Sequence, residues 1–184
     1  LAINLKAVST QIFTRLAKQT DFKPGKKLLE LGGGYGYLSS YIKRTWPKTS
    51  VTYTDPAKNA VQKSRQFEDY YNVRLNEKWV CTAEHTPFAD HTFDTVLMFS
   101  SFHHVQNPEL ALTEIARVLK PSGHVYMMYE PSAPRYLHKI YKYHVERDAV
   151  AEQFYSLAQY RAMLSRAGLS HKIIFVRDPS LRWK

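Results

Sequence analysis

Cysteine is nearly absent from this chain of 184 residues: Cys81 stands alone, so no internal disulfide can form and a reducing cytoplasm is the expected compartment. Long apolar runs are missing too. No segment reaches the roughly 18 apolar residues of a membrane span, and no basic-then-apolar leader opens the chain, so a soluble protein is expected. Cysteine and histidine spacings give no zinc site, and His85 and His91, which flank a turn, need no ligand role. No metal is expected. Acidic residues are scarce beside basic ones, 16 against 26, which leaves a formal charge of +10. Such an excess attracts phosphates at long range. The cations nevertheless run from Lys6 to Lys184 without a block of five or six, as on a solvated basic surface, so nucleic acid is neither indicated nor excluded. Glycine is sparse as well, seven in all, yet Gly32, Gly33, Gly34 and Gly36 fall within five positions.

The length suits one domain, 1–184, able to bury a continuous core. "LKAVSTQIFTRLAKQ" sets Leu5, Val8, Ile12 and Leu16 on one helical face, and "DFKPGK" breaks it. "KLLEL" (27–31) reads as a strand, followed by the glycine loop and a helix with Leu38, Tyr41 and Ile42 inward. "SVTYTD" (50–55) is a second strand, with Pro56 in the first turn of a helix through Ala60, Val61, Ser64 and Phe67. "KWVCTA" (78–83) is a third, and "FDTVLMFSS" (93–101), nearly all apolar, has the pattern of a fourth covered on both faces.

Asn107 is an N-cap with Pro108 at the first helical position. Leu112, Ile115 and Leu119 form the stripe of that helix, and Pro121 to Gly123 end it. "HVYMMYE" (124–130) is a fifth strand. Ser156 and Gln159 then make a capping box, with Leu157, Tyr160, Leu164 and Ala167 inward and Gly168 at the C-terminal cap, and "KIIFV" (172–176) is a sixth strand. Strands alternating with helices predict an α/β fold, a doubly wound and mostly parallel sheet with helices on both faces. Ligands of such sheets bind at the carboxyl ends of the strands.

A glycine-rich turn between a strand and a helix lets backbone approach a ligand and aims free N–H groups at it. The dinucleotide fingerprint G-x-G-x-x-G fails, because counting from Gly32 and Gly34 its third glycine falls on Tyr37. A phosphate loop fails because no lysine follows Gly36. What fits is E-x-G-x-G-x-G, formed by Glu30, Gly32, Gly34 and Gly36, with Asp55 ending the next strand 19 residues on. A carboxylate there can accept both hydroxyls of a ribose, although an aspartate before proline also forms turns.

With "CTAEHTPFADHTFDTVLMFSSFHHV" (81–105) and "RVLKPSG", this pattern resembles the class I S-adenosylmethionine-dependent methyltransferases, in the small-molecule branch that includes ubiquinone and menaquinone biosynthesis enzymes. The resemblance is strong over about residues 25 to 130. It implies a Rossmann-like fold, a cytoplasmic enzyme, S-adenosyl-L-methionine as cofactor and a small-molecule or biosynthetic-intermediate acceptor. The cofactor would lie on Glu30, Gly32, Gly33, Gly34 and Gly36, with Asp55 and Pro56 at the ribose, Thr82, Ala83 and Glu84 at the adenine, and Phe99 and Ser100 near the methionine end. The family commonly has aspartate where Thr82 stands, so Thr82, Glu84 or a backbone carbonyl would take over that contact. Phe88 and Phe93 are assigned to the core. Family members usually end in an antiparallel hairpin, and "SLRWK" is short for it, so the last strand is expected to be abbreviated.

Methyl transfer is an in-line displacement, and a base is required only when the acceptor must lose a proton to attack. By the resemblance His103 and His104 are candidates for base or orienter, Glu130 either touches the acceptor or caps a following helix, and 131–155 is a lid carrying Tyr136, His138 and Tyr141 toward the acceptor. The stripe Leu137, Ile140, Tyr141, His144 and Val145 either docks on the domain or backs a basic lid of Arg135, His138, Lys139, Lys142 and Arg147 over an anionic acceptor. The N/D-P-P-Y/F motif and the nucleophilic cysteine of base methylation are absent. Two rivals stay open: an RNA methyltransferase, and a non-catalytic domain that binds the same cofactor.

Overall fold

The computed structural model describes residues 2–132 and 153–174, with side chains from Thr10 onward. Helix α1 (Ala2–Gln19) leads into β1 (Lys27–Glu30), α2 (Tyr37–Thr45), β2 (Ser50–Thr54), α3 (Lys58–Lys63), α4 (Arg65–Tyr71), β3 (Glu77–Trp79) and β4 (Phe93–Phe99). A 3-10 turn (Phe102–His104), α5 (Pro108–Val118), β5 (Leu119–Met128) and α6 (Leu157–Arg166) come next. The five strands form one sheet in the order β3-β2-β1-β4-β5, every neighbouring pair parallel. No helix among the described residues is long and apolar enough to cross a membrane.

Alternation along the strands explains why both faces are covered. In β1 and β4, Leu28 and Leu97 point into a core shared with Phe13 of α1 and Ile42 of α2, whereas Leu29, Val96 and Met98 point into a second core with Leu112 and Ile115 of α5 and Met163 of α6. Each such leucine or methionine contributes about 1.5–3 kcal/mol on burial. The central strands, β1 and β4, are thereby packed on both faces at the point where the strand order reverses.

Local signals explain the helix ends. Asn107 Oδ1 accepts from Leu110 N at 3.1 Å, with Pro108 opening α5. The Ser156–Gln159 capping box starts α6, and Gly168, at φ 72, lets Leu169 N–H reach Leu164 O at 2.9 Å.

Several expectations need correction. Phe13, absent from the expected stripe, centres the buried face of α1 together with Leu16. Pro56 lies outside any helix, and the helix expected through Phe67 breaks at Ser64, whose Oγ donates to Val61 O at 2.8 Å. The third strand has three exposed residues, stops at Trp79 and, among the described residues, pairs with β2 alone. Leu119 begins β5, and Pro121–Gly123 do not end the preceding secondary structure. They bulge out where Phe93 pairs Leu119 and Thr95 pairs His124, so that β5 spends more residues than β4 between the two pairs. Lys172–Ile174 form no strand, and the remainder of that expected strand lies outside the described residues, as do Tyr136, His138, Tyr141 and most of 131–155.

Candidate active site

The carboxyl ends of β1, β4 and β5 surround a cavity of about 270 Å³, lined by Glu30, Gly32, Gly33, Gly34, Tyr37, Phe99, Ser100 and Tyr129. It sits at the reversal between β1 and β4, where sheets of this kind take ligands. Three of the four clustered glycines are required by the protein's own packing. A Cβ on Gly32 would stand 2.9 Å from Ser101 Cβ, one on Gly33 2.8 Å from the Tyr53 ring, and one on Gly36 2.9 Å from Ser64 Cβ. Gly34 differs: at φ 58 its missing side chain would meet nothing within 4 Å among the described residues. Gly34 thus lines the cavity with bare backbone.

Glu30 is the last residue of β1 and is 2% exposed. Ser39 Oγ, one turn into α2, donates to its Oε2. Burial, augmented by the neighbouring Asp55 charge and opposed by the Ser39 bonds, pushes the Glu30 carboxyl up from 4.5 to about 7. Tyr53 of β2 is fully buried and donates its hydroxyl to Gly34 O. Burial and the charges of Asp55 and Glu30 raise its phenol further, so it remains a donor.

Because the folded Glu30 binds its proton more tightly than the unfolded one, its contribution to stability falls as pH rises from 4.5 to about 7 and then levels off. At 1.36 kcal/mol per pH unit the change is about 3 kcal/mol. Glu114, held near 2 by Arg117, acts in a separate acid window. Melting curves of the unliganded protein between pH 5 and 7 should therefore lose much of their slope in Glu30→Gln. A slope retained in the variant would assign the effect elsewhere.

Asp55 follows β2 and is 8% exposed. Its Oδ2 accepts from Gly34 N and its Oδ1 from Ala57 N, both at 2.8 Å. The turn-forming reading of this aspartate is thus observed, and Asp55 is not among the residues that line the cavity. Of its roughly four acceptor positions one holds the glycine turn through Gly34 and one holds its own loop through Ala57, which leaves about two. Pro56 beside it is exposed.

The expected adenine segment is less uniform. Ala83 is buried, and exposed Thr82 bridges His85. Glu84 Oε1 accepts from Gln106 N at 3.0 Å and Asn107 N at 3.1 Å, and these bonds lower its carboxyl below the ordinary range. Glu84 thus ties the loop to the start of α5, and its free acceptor capacity is reduced.

At the end of β4, Phe99 and Ser100 line the cavity, with Ser100 at φ 51 and its N–H on Met128 O at 2.8 Å. Ser101 Oγ donates to Leu31 O at 3.0 Å, closing β4 onto β1. His103 is 5% exposed and His104 is exposed, their rings 4.0 Å apart, and neither lines the cavity. The Glu130 carboxylate turns back onto the 3-10 turn, while the helix expected after it lies outside the described residues. The carboxylate accepts there from Ser101 N at 2.9 Å, Phe102 N at 3.0 Å and His103 N at 3.2 Å, and meets His103 Nδ1 at 2.8 Å.

Sequence reasoning missed Tyr37 and Tyr129. Tyr37 follows the glycine turn directly as the first residue of α2. Tyr129, at φ 60 and half exposed, stacks on Phe99 with ring centres 5.8 Å apart and 11° between planes. Its position after the last residue of β5 was the available signal.

This geometry defines a Rossmann-like α/β domain with a nucleoside-sized hollow at its glycine turn, a buried carboxylate in its wall and, among the described residues, no cationic side chain lining it. A family model described as a methyltransferase domain matches residues 29–127, and the chain belongs to that family, in the class I S-adenosylmethionine-dependent group. The chain is 35% identical over 132 residues to a fatty-acid O-methyltransferase of Mycolicibacterium smegmatis, covering 72% of this chain and 46% of that one. It is 32% identical over 117 residues to the ubiquinone/menaquinone biosynthesis C-methyltransferase UbiE of Cupriavidus pinatubonensis, covering 60% and 45%. The chain thus spans about half the length of the curated relatives it matches. A crystal structure of a putative methyltransferase from Bacillus halodurans superposes with a TM-score of 0.74 at 25% identity, covering 84% of this chain and 67% of that one.

Proposed function

We infer that the chain is the catalytic domain of an enzyme that transfers a methyl group from S-adenosyl-L-methionine to a small-molecule acceptor. The observation that carries this reading is the open face of Gly34 beside buried Glu30, in a hollow with no cationic side chain among the described residues of its lining. A cationic, non-phosphorylated nucleoside suits a wall with a buried carboxyl group better than a pyrophosphate would.

The residues present fit that cofactor. Glu30 would face its amino group, the remaining acceptor positions of Asp55 its ribose, the backbone around Thr82, Ala83 and Glu84 its adenine, and Phe99 and Ser100 its methionyl arm. When bound, it supplies an electrophilic methyl group on a sulfonium. The chain itself orients the partners and excludes water: aromatic rings of Tyr37, Phe99 and Tyr129 form the walls. We assign the acceptor to the side where 131–155 leaves the sheet, with that segment as the lid of a single domain, 1–184.

Titration calorimetry with S-adenosyl-L-methionine and with its demethylated product is the direct test, complemented by a methyl-transfer panel of a fatty acid, a quinone precursor and glycine. These acceptors are taken from the activities named for relatives. Saturable binding of donor and product is expected. Preferential binding of a dinucleotide, or no binding of either nucleoside, would sink the reading; tight binding with no turnover on any acceptor, RNA included, would favour the non-catalytic alternative.

A further inference from the structure

The hollow at the glycine turn is walled by three aromatic rings and one carboxyl group. Tyr37, Phe99 and Tyr129 stand around it with Glu30 and, among the described residues, no lysine, arginine or histidine lines it. Phe99, the last residue of β4, is closely packed: it is 9% exposed, and the buried Phe13 ring meets it edge to face at 6.0 Å and 74°. Tyr129 is more open. It follows the last residue of β5, is 50% exposed, and lies nearly parallel to Phe99 with ring centres 5.8 Å apart and 11° between planes. Rings at that separation are offset, so part of each face stays uncovered.

The backbone that presents these rings is unusual. Ser100 and Tyr129, each just past the end of its strand, both have left-handed backbones, at φ 51 and 60, and Ser100 N donates to Met128 O at 2.8 Å, which joins the two strand ends. Bulky residues rarely adopt this region, and such strain gathers at ligand sites. Packing does not account for it at Tyr129, which is half exposed and outside both cores.

Aromatic faces attract cations, more strongly where water is excluded. S-adenosyl-L-methionine carries positive charge on its amino group and on its sulfonium, whereas the demethylated product keeps only the first. Glu30, assigned above to the amino group, meets the same group in both ligands and cannot tell them apart. A sulfonium has no N–H or O–H to donate, so it is recognised by an electron-rich face rather than by a hydrogen-bond acceptor.

We propose that Tyr129, stacked on Phe99, is a specificity-determining residue whose ring holds the sulfonium by cation–π attraction, so that the site separates the charged donor from a product whose sulfur is neutral. The inference rests on the methyl-transfer reading above and adds to it what the aromatic wall selects. When the methyl group departs to the acceptor, the electron pair of the breaking C–S bond stays on sulfur and cancels its charge, and the ring's hold on that end of the ligand is lost.

Titration calorimetry of the full chain with the donor and, separately, with its demethylated product reads the effect without turnover. In Tyr129→Leu, which keeps a bulky apolar side chain, donor affinity should fall by about three- to tenfold, the range of a partly desolvated cation–π contact, while product affinity changes by less than about twofold. Tyr129→Phe should bind both ligands within about twofold of wild type, because the ring face is retained. Adding fluorine atoms one by one to that phenylalanine ring drains its face of negative charge, and should weaken donor binding stepwise with product binding flat. Equal losses of donor and product in Tyr129→Leu would mean a packing wall only and overturn the proposal. Unchanged donor affinity in Tyr129→Leu, or no trend with fluorine, overturns it as well. Should melting curves show that the leucine variant does not fold, the fluorine series decides alone. Failure of the methyl-transfer reading would show separately, as binding of neither nucleoside to wild type.

Discussion

Asp55→Ala should lower stability by about 3 kcal/mol and weaken donor binding by at least tenfold. The stability loss comes from two hydrogen bonds to a charged group, each contributing roughly 1.5–3 kcal/mol and not fully additive. Gly34 N and Ala57 N would be left facing a methyl group in a site that is 8% exposed. For a chain of this size the melting temperature should drop by roughly 6–12 °C. The affinity loss comes from the missing acceptor for the sugar hydroxyls, at about 1.4 kcal/mol per tenfold. Asp55→Asn keeps one acceptor oxygen and should fall between. Thermal melts and calorimetry separate the two roles: unchanged melting would remove the loop-holding function, and unchanged affinity would remove the ribose assignment.

Substitutions within the glycine turn should divide just as sharply. Gly33→Val would force its Cβ to 2.8 Å from the buried Tyr53 ring and 2.9 Å from Glu30 Cδ, and neither can withdraw. Overpacking of this kind costs roughly 1–3 kcal/mol, and the added methyls place valine at the upper end. Gly34→Ala meets no atom within 4 Å and is penalised only for its left-handed backbone, by roughly 1–2 kcal/mol. Its methyl group would instead occupy the face offered to the ligand. Stability should therefore suffer more in Gly33→Val, and donor affinity, measured on folded protein, more in Gly34→Ala. Equal affinity in wild type and Gly34→Ala would show that the ligand does not approach that backbone.

Much of the architecture is legible in the residues. The alternation of strands and helices, the Asn107–Pro108 start and the Ser156–Gln159 box are local signals, and the structure obeys them because local preference and tertiary packing agree there. The parallel order and the position of the glycine turn are equally readable. The misreadings occur where tertiary partners decide. β3 is a three-residue strand lying, among the described residues, at the edge beside β2, and Lys120–Gly123 bulge because β5 must stay in register with β4. Periodicity carries no information about either.

In the site, the residue types of the glycine turn are evident from sequence, but the reasons for them are not. Three glycines answer to Ser101, Tyr53 and Ser64, partners contributed by β2, by the end of β4 and by the junction of α3 and α4, which no local pattern announces. Glu130 shows the same limit from the other side. A linear chain suggests that a residue at a strand end serves the segment next in order, whereas the fold brings this carboxylate back to Ser101, Phe102 and His103 at the end of the neighbouring strand.

The brevity of β3 has a bearing on how copies of this chain behave when crowded together. A sheet margin with unpaired amides invites another molecule to add a strand, and long, flat margins are where amyloid-like stacking starts. Here the margin offers three rungs, from Glu77 to Trp79, and its middle residue, Lys78, is anchored to Glu68 at 2.7 Å. A newcomer on this border, as the described residues form it, would gain few bonds and would have to accommodate a fixed cation, which disfavours runaway self-association.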